Sequence, residues 1–164
     1  PYLSDLAVGN VIADRVAEWN LPEVAVADCS HTPIAAYQTI TKGEYENVVI
    51  VGARKRGDGL NTGTPSNDPG AIHTYPTESI DVPEDDIVDR IAECAMGSNT
   101  IENVVVITKA LGGFPSGSVV IDIEPEYDSW GYAIEEFSPA VWDRFDRLVD
   151  LVLGELETSY PSSD

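Results

Sequence analysis

The chain has little that carries positive charge. Its 164 residues include three lysines (Lys42, Lys55, Lys109), six arginines and two histidines, against 29 aspartates and glutamates, for a formal net charge of −20. A nucleic-acid backbone or an anionic membrane calls for a basic patch. The one basic cluster is Arg54-Lys55-Arg56, so both are excluded as the main partner. Cysteine is scarce as well. Cys29 and Cys94 lie far apart with no Cys-x-x-Cys spacing, which excludes a thiolate metal site and points to a reducing compartment. With no apolar run of 18 residues and no signal peptide, a soluble cytoplasmic protein is expected. The glycine-rich dinucleotide fingerprint, the phosphate-binding Gly-x4-Gly-Lys-Ser/Thr loop and the Gly-x-Ser-x-Gly nucleophile elbow are all missing, so nucleotide binding and serine hydrolysis lack their motifs.

What is present is a normal core under an acidic surface. A hydrophobic content of 43% is too high for a disordered acidic tail. One domain over residues 1–164 is expected, burying roughly 70% of its unfolded surface. Scarce lysine with many short carboxylates suits a protein kept in solution at high salt, where the Debye length falls to about 3 Å at 1 M. A halophilic, archaeal-like source is the expectation.

The periodicity predicts alternating strands and amphipathic helices. Val8, Ile12, Val16 and Trp19 form a helical stripe after Ser4-Asp5 and ending at Asn20-Leu21-Pro22. Glu23–Asp28 reads as a short strand, Pro33–Thr41 as a helix, and Glu46–Gly52 as a strand covered on both faces. Residues 54–70 form a loop rich in Gly, Asn, Asp and Pro. Ala71–Tyr75 is a strand, and a helix opens at Pro83-Glu84-Asp85-Asp86 and runs to about Met96. Asn103–Ile107 and Val119–Ile123 read as buried strands. A last helix follows Ser138-Pro139, with Ser138 as cap and Pro139 in its first turn. This pattern predicts a three-layer α/β fold: a mostly parallel twisted sheet with helices on both faces. Ligands then belong at the carboxyl ends of the strands.

Two constellations stand at such ends. Asp28-Cys29-Ser30-His31-Thr32 gathers a carboxylate, a thiol, a hydroxyl and an imidazole within five residues. A cysteine nucleophile needs a base beside it; the alternative is that Asp28 caps the following helix or holds the turn. Glu124-Pro125-Glu126 places two acids after a strand, as a catalytic pair or as a solvated turn. His73 lies in a strand with Ala71 and Tyr75 on its face.

The order of the segments carries a resemblance. Asp5-Leu6-Ala7-Val8-Gly9 enters a helix, Val24–Asp28 ends on an acid, and Val48–Gly52 is followed by a Gly/Pro-rich loop and Pro69-Gly70-Ala71-Ile72. Ile121–Glu126, Trp130-Gly131, Phe137-Ser138-Pro139 and the closing helix complete it. This succession resembles the hydrogenase maturation endopeptidase family. The resemblance implies a peptidase, a hydrolase that trims the C-terminus of a nickel-iron hydrogenase large-subunit precursor. It further implies that the nickel is supplied by the substrate and held by two carboxylates and a histidine. At the family's first acid this chain has Leu6, with Asp5 beside it; a second register brings in Asp14. The second acid falls on Gly52, and residues 76–83 hold no histidine. The candidate metal-binding residues are therefore Asp5, Asp14 and His73, and the candidate catalytic residues Asp5, Asp28 and His31. Asn103–Ile107 would be a strand added to the family sheet. Two rival readings stay open: a noncatalytic protein-binding module on the same fold, and a small-molecule enzyme with the 54–70 loop as its lid.

Overall fold

Side-chain caps start three of the six described α-helices. In the computed structural model, which describes residues 4–56, 68–95, 100–127 and 136–158, a 3-10 turn at Ser4–Ala7 leads into α1 (Val8–Glu18). Helix α2 (Pro33–Lys42) has Pro33 in its first turn, and the Thr32 side chain accepts from the Ala35 N–H at 3.0 Å. Helix α3 (Glu84–Ala95) opens on Glu84, Asp85 and Asp86, where carboxylates complement the helix dipole. Ser138 caps the short α5 (Pro139–Trp142), and α6 (Phe145–Thr158) follows. The starts match those expected from sequence to within a few residues, except that the single closing helix expected after Ser138-Pro139 is two, broken at Asp143-Arg144.

Three strands form the described sheet: β1 (Val49–Ala53), β2 (Ile72–Pro76) and β3 (Val119–Ile123), in the order β1-β3-β2. Strand β3 is central. It runs parallel to β1 in the register Val51 to Ile121, and antiparallel to β2 in the register Thr74 to Ile121. An α/β sheet flanked by helices is as expected. Of its two described ladders one is parallel, β1 with β3, and one antiparallel, β2 with β3.

The period of two along the strands separates two cores. Ile121, Ile123, Val49, Val51 and Ile72 pack with Val8, Ile12, Val16, Val141, Phe145, Leu148 and Val152 from α1, α5 and α6. On the opposite face Val120, Tyr75 and Ile50 pack with Ile80, Ile87, Ile101, Val105 and Val106. Helix α1 lies so close to β1 that a Cβ on Gly9 would meet the Val51 carbonyl oxygen at 2.6 Å. Gly9→Ala is expected to destabilise the fold by about 1–3 kcal/mol, the usual effect of overpacking against rigid backbone. A shift in urea midpoint at constant slope checks it.

Two expected strands are corrected. Residues 101–111 form a helix, α4 (Ile101–Leu111), and not a strand at 103–107. The Thr100 hydroxyl accepts from the Asn103 N–H, and Gly112 ends the helix at φ +152°. Glu102 through Thr108 are all buried, because α2 and α3 pack on α4 and the sheet lies beneath it. A helix buried all round shows no amphipathic period and reads like a core strand. The idea of a strand added to the family sheet falls with it. The second correction is Glu23–Asp28, which joins no ladder. Glu23 turns at φ +62°, and from Ala25 to Asp28 the side chains are exposed, so this segment has too little apolar surface to hold a place in the sheet. Residues 57–67 of the proposed lid, and the Trp130-Gly131 motif, lie outside the described residues.

Candidate functional site

Parallel strands β1 and β3 end side by side, and both continue into charged side chains. Arg54 and Arg56 follow β1; Asp122 and Glu124 lie at the end of β3. Arg54 Nε donates to Glu102 Oε1 of α4 at 2.7 Å, and Arg54 Nη1 to the Tyr75 hydroxyl at 3.4 Å. Tyr75 donates to Asp122 Oδ2 at 2.6 Å. Arg56 Nη2 donates to Asp122 Oδ1 at 2.6 Å, and Arg56 Nη1 to Glu124 Oε2 at 3.2 Å. The Arg56 backbone N–H also points at the Glu124 carboxylate. Two cations, three carboxylates and a phenol thus close the strand ends, nearly all of them shielded from water.

Burial sets the protonation of this network. It pushes the Tyr75 hydroxyl far up, helped by the Asp122 charge, so Tyr75 stays a neutral donor. Burial also raises the Glu102 carboxyl, with Arg54 pulling against it. The Arg54 charge is opposed by burial, but Tyr75, Glu102 and Asp122 outweigh that and keep it charged. Every member is engaged by another, which makes this a brace between β1, β2, β3 and α4 and leaves no activated nucleophile in it. Glu124, read as one possible half of a solvated turn, is 4% exposed and belongs to the brace.

The residues singled out from sequence fall in three places. Asp5 is fully buried, and its carboxylate accepts three backbone N–H groups, from Glu126 and Tyr127 at 2.9 Å and from Ser138 at 2.7 Å. It ties the start of α1 to the segments after β3 and before α5. Asp28 and His31 lie on an exposed loop, with His31 Nε2 3.6 Å from Asp28 Oδ2. Hydrogen bonds from Ser30 lower the Asp28 carboxyl, and its contact with the Ser30 N–H at 2.8 Å holds the turn. Capping of α2 belongs to Thr32. Between them, Cys29 has its thiol pushed up by burial and by the Asp28 charge, the opposite of an activated thiolate. Asp14 is exposed on α1. His73 sits on β2 opposite Asp122 and lines a pocket of about 400 Å³ with Asp68, Gly70, Arg144 and Arg147. Asp5, Asp14 and His73 are not brought together: among the described residues no three His, Cys, Asp or Glu side chains gather where a metal ion could be held. The described residues therefore do not form the two-carboxylate, one-histidine set that the resemblance implies.

Sequence reading missed the brace. Its signal was Asp122 inside the otherwise apolar Val119–Ile123, since a lone acid in a buried strand demands a cation.

Helices on both faces of a small sheet, with charge concentrated at the strand ends, define a layered α/β protein of the kind that carries its site at that end. The chain has the fold of the hydrogenase maturation endopeptidases. It superposes on the endopeptidase HybD from E. coli with a TM-score of 0.62 at 15% identity, covering 96% of this chain and 86% of that one. The [NiFe] hydrogenase maturation protease HycI from Thermococcus kodakarensis gives 0.58 at 21% identity, covering 94% and 85%. A hydrogenase 2 maturation peptidase from a thaumarchaeote gives 0.54 at 18% identity, covering 94% and 90%. No family model matches the chain. No curated protein matches it either. Among the described residues no helix is long and apolar enough to cross a membrane.

Proposed function

We propose that this protein cleaves or binds the C-terminal region of a metalloenzyme precursor of the hydrogenase large-subunit type, as a divergent relative of the maturation endopeptidases. The likeness of fold along nearly the whole chain, to several endopeptidases of bacteria and archaea, supports this reading. Trimming of the bound precursor would fall to Asp28 with His31, or to His73, since Asp5 is taken up by backbone. Nickel, in this reading, arrives with the substrate. A second reading, a binding module without peptidase activity, draws support from the scattered positions of Asp5, Asp14 and His73.

One experiment separates them. The purified protein is mixed with a nickel-iron hydrogenase large-subunit precursor that keeps its C-terminal extension, with and without nickel, in low and high salt. Gel filtration reports the complex and mass spectrometry the extension. A complex with loss of the extension is the peptidase outcome. A complex with an intact extension is the module outcome. Absence of any complex in all four conditions overturns the proposal.

A further inference from the structure

The second charged feature of the molecule is cationic. In a chain of net charge −20, Arg54, Arg56 and Arg90 are paired with acids, and Arg15 lies over the Phe145 ring. Arg144 and Arg147 make no ion pair among the described residues, and both line the pocket at the start of β2. Arginine at a concave site, not held in an ion pair, is suited to receive a carboxylate from elsewhere, since its planar fork binds carboxylate bidentately. Among the described residues Asp68 is the one acid of the lining, so the two arginines outnumber it.

The pocket is continuous with a strand edge that no other described strand covers. Thr77 N–H donates to the Ser118 carbonyl, and Glu124 N–H to the Ala71 carbonyl. By the alternation of an antiparallel ladder, residues 71, 73, 75 and 77 turn their backbone groups toward β3. Ile72 and Thr74 therefore turn theirs outward, and among the described residues β2 pairs with β3 alone. Such an edge accepts an extended peptide as an added strand. A peptide antiparallel to β2 brings its C-terminus to the N-terminal end of β2, where Arg144 and Arg147 stand. The turn at that end is fixed: Gly70 has φ +79°, and a Cβ there would meet the Ala140 carbonyl oxygen at 2.5 Å, so the pocket floor is locked to α5.

We infer that this pocket is a carboxylate site, which receives the C-terminal carboxylate of an extended peptide laid antiparallel along the outer edge of β2. The inference rests on the precursor-binding reading only for the identity of the peptide's owner. Its test uses a short fluorescent peptide of extended, apolar-polar sequence, made with a free and with an amidated C-terminus, and a third version, amidated, with an internal glutamate. Anisotropy at low salt is expected to show the free form binding at least about tenfold more tightly than the amidated one, the order expected for a charge-assisted pair. The exposed double change Arg144→Ala/Arg147→Ala is expected to remove that difference, and Arg15→Ala to preserve it. Thr74→Pro, which removes one outward N–H and no bond to β3, is expected to weaken both forms. Equal binding of free and amidated peptides, or binding indifferent to the two arginines, overturns the site. Preference for the internal glutamate overturns the C-terminal assignment. Because the readout is a synthetic peptide, its failure beside an intact precursor complex removes the pocket alone. Carboxylate binding without any precursor complex removes the functional reading alone.

Discussion

Replacing Arg54 by methionine is expected to lower folding stability by about 3–5 kcal/mol at neutral pH, the usual effect of removing one partner of a buried ion pair. Methionine fills much of the same volume, so the loss comes from charge: Glu102, with a side chain 6% exposed, loses its 2.7 Å partner, and Asp122 keeps only Arg56 and Tyr75. The pH dependence identifies the cause. Burial already holds the Glu102 carboxyl above its ordinary value of 4.5 in the folded protein. As pH rises past that value the unfolded chain gives up its proton first. The folded state then binds the extra proton, and stability falls with rising pH through the window up to the raised value. Without Arg54 the folded carboxyl moves further up and the window widens. The gap between wild type and Arg54→Met is therefore expected to be largest at neutral pH and to shrink on acidification toward 4.5. Urea unfolding of both proteins across that range measures it. A gap independent of pH would mean that lost packing, not the stranded carboxylate, sets the effect.

Asp5→Ala is expected to be of similar size, about 3–5 kcal/mol. Three backbone N–H groups lose their acceptor, and a buried donor left without a partner costs about 1–3 kcal/mol. Glu126 is exposed, so water reaches part of that site and the full sum is not expected. Amide exchange at Glu126, Tyr127 and Ser138 should accelerate before exchange in β3 does. Asp5→Asn keeps an acceptor oxygen and is expected to recover part of the loss. If Asp5→Ala left stability and these amides unchanged yet abolished trimming of a precursor, Asp5 would be a chemical group and not an anchor.

Much of the layered fold was legible from local signals. Ser138-Pro139, Pro33 and the acids at Glu84–Asp86 each mark a helix start through chemistry contained within a few residues, and Val119–Ile123 is a strand with the predicted ends. Helix α4 was not legible, because its burial comes from α2, α3 and the sheet together and erases the periodicity that distinguishes helix from strand. The charged brace was hidden for a different reason. Arg54 meets Glu102 across 48 positions and Arg56 meets Asp122 across 66; sequence shows the charges but not their pairing. Asp5 stood out as a carboxylate near a family motif, and only its three backbone donors, all more than 120 positions away, disclose what it holds.

The order β1-β3-β2 has a consequence for a chain that emerges from the ribosome amino end first. β1 and β2 each pair with β3 and not with one another, so neither finds its partner until residues 119–123 have been made. At roughly 5–20 residues per second, β1 waits several seconds with the edge meant for β3 unpaired, an interval in which apolar strands of neighbouring nascent chains can pair with it. Glu44 and Glu46 stand just ahead of β1, and Glu78 and Asp81 just behind β2. Acids flanking an apolar strand are where charge disfavours such pairing, and these positions have them while the central strand is still to come.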